Sequence, residues 1–191
     1  LLGLTAVICI ILGMGMPTTA IYFLLAVLAT PPLVKLGVEP IAAHLFVLYF
    51  GLMSMITPPV ALAAFTAAKL AETSPMGCAI AACRFGWPAF VVPFLFVIAP
   101  NLIMIGEPVD IAIVFVTAIA GIWFASAGLT GYFTMRLNLI QRAGYIFGGL
   151  SLLLPSQAFN GAYIVEIAGG VICTTILIME RASKKAAAEA N

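Results

Sequence analysis

Two short stretches of this chain could do chemistry through their backbone. The first is Gly13-Met14-Gly15-Met16-Pro17-Thr18-Thr19; the second, about forty residues on, is Thr57-Pro58-Pro59. Both interrupt apolar runs. Pro17 has no N–H and disfavours the helical conformation at Met16, while Gly13 and Gly15 open torsions that other residues avoid. Pro58 and Pro59 likewise lack the N–H groups that would bond the carbonyls of Ser54 and Met55. Freed carbonyls and helix carboxyl ends attract a small cation, and helix amino ends attract an anion. One such proline alone reads most simply as a kink whose neighbours satisfy the backbone. Two interrupted segments together are the main sequence pointer to a transporter's binding site.

Side chains offer less. There is no Ser/His/Asp set, no Gly-Lys-Ser/Thr phosphate loop and no His-Glu-x-x-His. An enzyme is therefore not expected, and ATP-driven transport has no support within the chain. Cys9, Cys78, Cys83 and Cys173 form no Cys-x-x-Cys pair, so they read as small buried hydrophobes. His44 lies early in an apolar run and reads as a packed or interfacial histidine rather than a proton relay. Glu166 reads as an acid near a helix start, and Asn101 as a hydrogen-bonding group between helices. Lys69 and Arg84 read as cytoplasmic anchors.

The elements that hold these residues must cross lipid. Of 191 residues, 64% are apolar and 8% are charged, and the mean hydropathy is +1.22. A soluble domain has about 45–50% apolar and about 25% charged residues. A net charge of +1 gives no reason to expect a nucleic-acid partner. Leu1 falls inside an apolar run with no Met and no basic flank, so the expectation is that a preceding part of the same polypeptide is missing.

Spans are expected at 41–71 (broken at Thr57–Pro59), 87–106, 111–135 and 163–179. The segment 76–86 is too short to span and is expected at the interface; 143–155 is expected to be a tilted or partial span. Residues 1–12 and 20–34 are each half to three-quarters of a bilayer long. They form either a re-entrant hairpin with its tip near the midplane or two ordinary spans, the first truncated. A solvated tail, 184–191, follows the last span.

Placing that tail in the cytoplasm puts Arg136 and Arg142 inside as a basic loop, and Lys69 and Arg84 inside as well. Glu107 and Asp110 fall outside. Seven basic residues then lie inside and only Lys35 outside, as the positive-inside rule requires.

The residues Gly13-Met14-Gly15-Met16-Pro17-Thr18-Thr19-Ala20, Ala43-His44-Leu45-Phe46 and Ile56-Thr57-Pro58-Pro59-Val60 resemble the large membrane subunit of TRAP transporters, the tripartite ATP-independent periplasmic transporters. The likeness is closest to the fused form, in which small and large membrane subunits are one polypeptide. It covers roughly residues 1–106; residues 110–191 more weakly resemble extra carboxyl-terminal helices of some fused members. The resemblance implies an all-α polytopic membrane protein with a re-entrant hairpin and a broken transmembrane helix, one inverted repeat of an elevator-type sodium symporter. Residues 1–106 would be the second-repeat part of the transport core, and 107–191 a carboxyl-terminal membrane extension with a cytoplasmic tail.

The implied function is sodium-coupled uptake of a small organic acid, a carboxylate, delivered by a periplasmic substrate-binding protein to a multi-pass permease in the bacterial inner membrane. By the same resemblance, Na+ as coupling ion would sit on the backbone carbonyls of Gly13, Ser54 and Val60, with Thr57 adding its side chain or carbonyl. Many members have Gly where Ser54 stands, a change that leaves a carbonyl ligand intact. Many have Asp where Met16 stands. Substrate contact therefore passes to the hydroxyls of Thr18 and Thr19, with Pro17 and Pro58 beside them. A reading from a different class is a non-transporting helical assembly or anchoring module, which needs no ion and in which Pro58-Pro59 is a plain kink. The distance between the two breaks separates these readings.

Overall fold

Proline and glycine positions explain most helix boundaries. Pro40, Pro75, Pro88 and Pro108 each stand in a first helical turn, where the missing N–H is an orphan in any case. The computed structural model describes residues 1–133, 136–155 and 162–189, with side chains as far as residue 180. The described elements are helical, apart from an isolated bridge between Tyr132 and Arg136. The chain divides into two units, Leu1–Ile103 and Met104–Asn191.

The first unit holds α1 (Leu2–Gly13), α2 (Thr18–Leu28), α3 (Thr30–Lys35), α4 (Pro40–Met53), α5 (Leu62–Leu70), α6 (Pro75–Phe85), α7 (Pro88–Ile98) and a 3-10 turn, Pro100–Ile103. Helix α4 is the hub and touches α1, α2, α3 and α7. Its Phe46 and Phe50 meet Phe94 of α7 at ring-centroid distances of 5.3 and 5.4 Å, edge to face. Gly51 lets α2 lie close: a β-carbon there would fall 2.6 Å from Ile21 Cγ2. Leu4, Val7, Phe23 and Val27 remain exposed, a surface suited to lipid.

The second unit holds α8 (Pro108–Thr130), α9 (Leu139–Leu153) and α10 (Ala162–Glu189), with α9 packed against both neighbours. Without a hydrophobic drive in lipid, helices associate by close approach at small residues. A β-carbon on Gly149 would lie 2.5 Å from the Ala125 nitrogen, and one on Gly169 would lie 2.7 Å from the Gly148 carbonyl oxygen. Gly131, at φ +74°, ends α8, and its N–H donates to the Ala127 carbonyl at 2.9 Å.

Several expected boundaries move. Among the described residues, four helical stretches are long and apolar enough to cross a membrane: Thr18–Lys35, Pro75–Ile98, Pro108–Thr130 and Ala162–Glu180. The second of these stretches thus begins at Pro75 rather than at 87, because Ser74 caps α6 by accepting the Gly77 N–H. It ends at Ile98 rather than 106, where Ala99 leaves the helical region. The segment 76–86, expected at the interface as a piece on its own, is instead the first half of this stretch. Thr18–Lys35 reaches spanning length because α3 follows α2 directly; residues 20–34 were expected either as a hairpin arm or as an ordinary span.

Helix α8 stops at Thr130, five residues before the expected end, which at Met135 lies outside the described residues. The expected basic loop is partly helical: Asn138 and Gln141 form a capping box that starts α9. Arg142 then donates from Nε to the Gly128 carbonyl and from Nη2 to the Leu129 carbonyl, both at 3.2 Å, and so closes the carboxyl end of α8. The tail is helical up to Glu189, since α10 continues through it. Ala, Lys and Glu are strong helix formers. The side chains of Arg181, Lys184 and Lys185, and the last two residues, lie outside the described residues.

Candidate ion and substrate site at two helix breaks

The first break is the turn between α1 and α2. Helix α1 ends at Gly13; Met14 turns extended, at φ −63° and ψ 125°. Gly15 adopts φ +81°, a torsion that other residues adopt only at a cost. Pro17 is extended and precedes the first turn of α2. Helices α1 and α2 meet at this turn, and both lie on α4.

The second break runs from Ser54 to Ala61, so α4 ends earlier than Thr57. Prolines at 58 and 59 withhold N–H groups from the preceding turn. The N–H groups of Ser54, Met55 and Ile56 bond to carbonyls three residues back, at 3.1 to 3.3 Å, in a tightened final turn. The Pro58–Pro59 peptide is cis, and Ala61 is left-handed at φ 32°. Among the expected freed carbonyls, that of Met55 is not free: it accepts the Ala63 N–H at 3.0 Å. No backbone N–H among the described residues donates to the Ser54 carbonyl.

These two breaks touch. A β-carbon on Gly13 would fall 2.8 Å from Ser54 Oγ and 3.0 Å from the Gly51 carbonyl oxygen. One on Gly15 would lie 3.9 Å from Val60 Cγ1. The structure thus brings Gly13 to Ser54 and the neighbouring Gly15 to Val60. Ser54 is buried, and its Oγ donates to the Gly51 carbonyl at 2.6 Å. Thr57 Oγ1 donates to the Met53 carbonyl at 2.7 Å and keeps its lone pairs. The carbonyls of Gly13 and Thr57 accept only long bonds, from Met16 at 3.5 Å and Ala61 at 3.3 Å.

Thr18 and Thr19 stand exposed in the first turn of α2, and among the described residues neither hydroxyl makes a hydrogen bond. Pro17 is exposed beside them and Pro58 is half-buried in the other break. Among the described residues, no three His, Cys, Asp or Glu side chains gather as a metal site. A cation at the breaks would thus meet neutral carbonyl and hydroxyl oxygens, which are hard donors.

Two contacts and one burial went unseen in the sequence. His44 is held by Tyr22, whose hydroxyl lies 3.1 Å from Nδ1, so α2 and α4 share a polar contact. The Cys83 thiol donates to the Ile56 carbonyl at 3.3 Å. Glu180 is fully buried on α10. Alternation or helical spacing marks none of them.

An all-α, multi-pass membrane protein with interrupted helices meeting at one place is built as membrane transporters are. Residues 1–111 match the family model "Tripartite ATP-independent periplasmic transporter, DctM component", and the chain belongs to that family. It is a permease component of a TRAP transporter, a transporter family rather than an enzyme family. Comparison with curated proteins and with solved structures finds no match.

Proposed function

We propose that this permease component couples sodium entry to uptake of a small organic acid, a carboxylate, handed over by a periplasmic binding protein. The observation that carries this reading is the contact of Gly13 with Ser54, which joins the turn before α2 to the end of α4. Sodium, as co-transported cargo, is held on oxygens of Gly13, Ser54, Thr57 and Val60. Its binding orders the α1–α2 turn against Thr57–Pro59. The exposed hydroxyls of Thr18 and Thr19 and the amino end of α2, flanked by Pro17 and Pro58, then receive the carboxylate.

In this reading residues 1–106 are the second-repeat part of an elevator-type core, and 107–191 are a membrane extension. The amino-terminal part of the same permease supplies the rest of the substrate site. Seven of eight basic residues fall on one side of the expected topology, which supports an inner-membrane orientation with a cytoplasmic carboxyl terminus. The test is uptake of radiolabelled dicarboxylates and sugar acids into proteoliposomes bearing the complete transporter and its binding protein. A sodium gradient accelerates uptake; uptake indifferent to sodium overturns the coupling.

A further inference from the structure

Helix α6 grips the second break at both of its ends. On one side the Cys83 thiol donates to the Ile56 carbonyl at 3.3 Å. The Ile56 side chain is also held there: its Cδ1 would lie 3.2 Å from a β-carbon on Gly86. On the other side, fully buried Ala61, in its left-handed conformation, packs in one cluster with Ala79 of α6. The Ile56 carbonyl and the Thr57 N–H belong to one rigid peptide plane. That N–H donates to the Met53 carbonyl at 3.1 Å, so both edges of the plane are fixed. With the Met55 carbonyl taken by Ala63, two successive carbonyls of the break are turned toward protein donors. The Ser54 carbonyl just before them has no backbone donor among the described residues.

We propose that Cys83 is a positioning residue for the ion site: by holding the Ile56 carbonyl, it sets the plane that aims the oxygens of Ser54 and Thr57. The inference rests on the sodium-coupled reading above. A thiol is a weak donor, so its removal loosens the site without abolishing it. Mutation to alanine would leave α6 in place but leave that peptide plane held at one edge only, through the Thr57 N–H.

The test compares Cys83→Ala, Cys83→Ser and Cys78→Ala in the complete transporter in proteoliposomes. Sodium concentration for half-maximal uptake and maximal rate are measured separately. Cys83→Ala raises the half-maximal sodium concentration roughly fivefold, about the effect of one weak hydrogen bond, with a smaller loss of maximal rate. Cys83→Ser restores it, and Cys78→Ala leaves it alone. A loss of maximal rate with no shift in sodium dependence, or equal behaviour of the Ala and Ser variants, overturns the proposal. An unaltered transporter that ignores sodium overturns this proposal together with the coupled reading; a sodium-dependent one with an unmoved Cys83→Ala overturns this proposal alone. If Cys83→Ala fails to assemble, N-ethylmaleimide labelling of the Cys78→Ala protein, mapped by mass spectrometry, gives a second readout. Sodium slows modification of Cys83 there, and a rate indifferent to sodium overturns the proposal.

Discussion

The two units of this chain use glycine and proline in opposite ways. In the first, they cut the helices: no α-helix there exceeds the 14 residues of α4, and the cuts include those at 14–17 and 54–61. In the second, glycines sit inside long helices of 23, 15 and 28 residues and serve close packing. Lipid cannot satisfy a broken backbone, so a break must be enclosed by protein or line a cavity. The contrast separates a region of interrupted helices from one of longer helices packed closely at glycine.

Substitutions can break that comparison. The largest effect is expected from Gly13→Ala, whose β-carbon collides with Ser54 and with the Gly51 carbonyl. Sodium-driven uptake should fall about 100-fold, the order lost when a positioned group moves by about 1 Å. Uptake within threefold of the unaltered transporter would show that the turn is not pressed on α4. Next, Gly149→Ala should destabilise the α8–α9 contact by about 1–3 kcal/mol, read by thermal unfolding in detergent. Its sodium dependence should stay put, and a shift there would dissolve the division between the units.

Thr57→Val keeps the shape of the side chain but loses the hydroxyl that bonds Met53. The half-maximal sodium concentration should rise roughly tenfold, equivalent to about 1.4 kcal/mol. No change would remove the Thr57 hydroxyl from the site while leaving its carbonyl. The smallest effect is that of Arg142→Gln, which withdraws the cation from the carboxyl end of α8. A loss of about 0.3–1 kcal/mol in unfolding stability is expected, with uptake unaffected.

Much of this was legible beforehand because breakers leave covalent signatures. Pro17, Pro58 and Pro59 announce missing N–H groups, and the family motifs around them led to the same family that the model match shows. Less legible was where a freed carbonyl goes. Met55 finds Ala63 across the break, a partner that only the left-handed turn at Ala61 provides. Composition marked apolar runs, and the Gly86–Trp87 junction does separate α6 from α7, but the two helices together make one stretch of spanning length, Pro75–Ile98. Arg142 looked like a solvated cation of a basic loop. Its guanidinium in fact serves the end of another helix, a long-range pairing with no local sign.

Helix α9 carries one more implication, for the bilayer itself. Its 15 residues extend roughly 22 Å, while a hydrocarbon core is about 30 Å thick. Its exposed Phe147 and Ile140 face outward all the same. The neighbouring α8, at 23 residues, is long enough to match that thickness. A helix this short crosses a bilayer only where the hydrocarbon thins or flanking residues and neighbours cover its ends, whereas α8 needs neither.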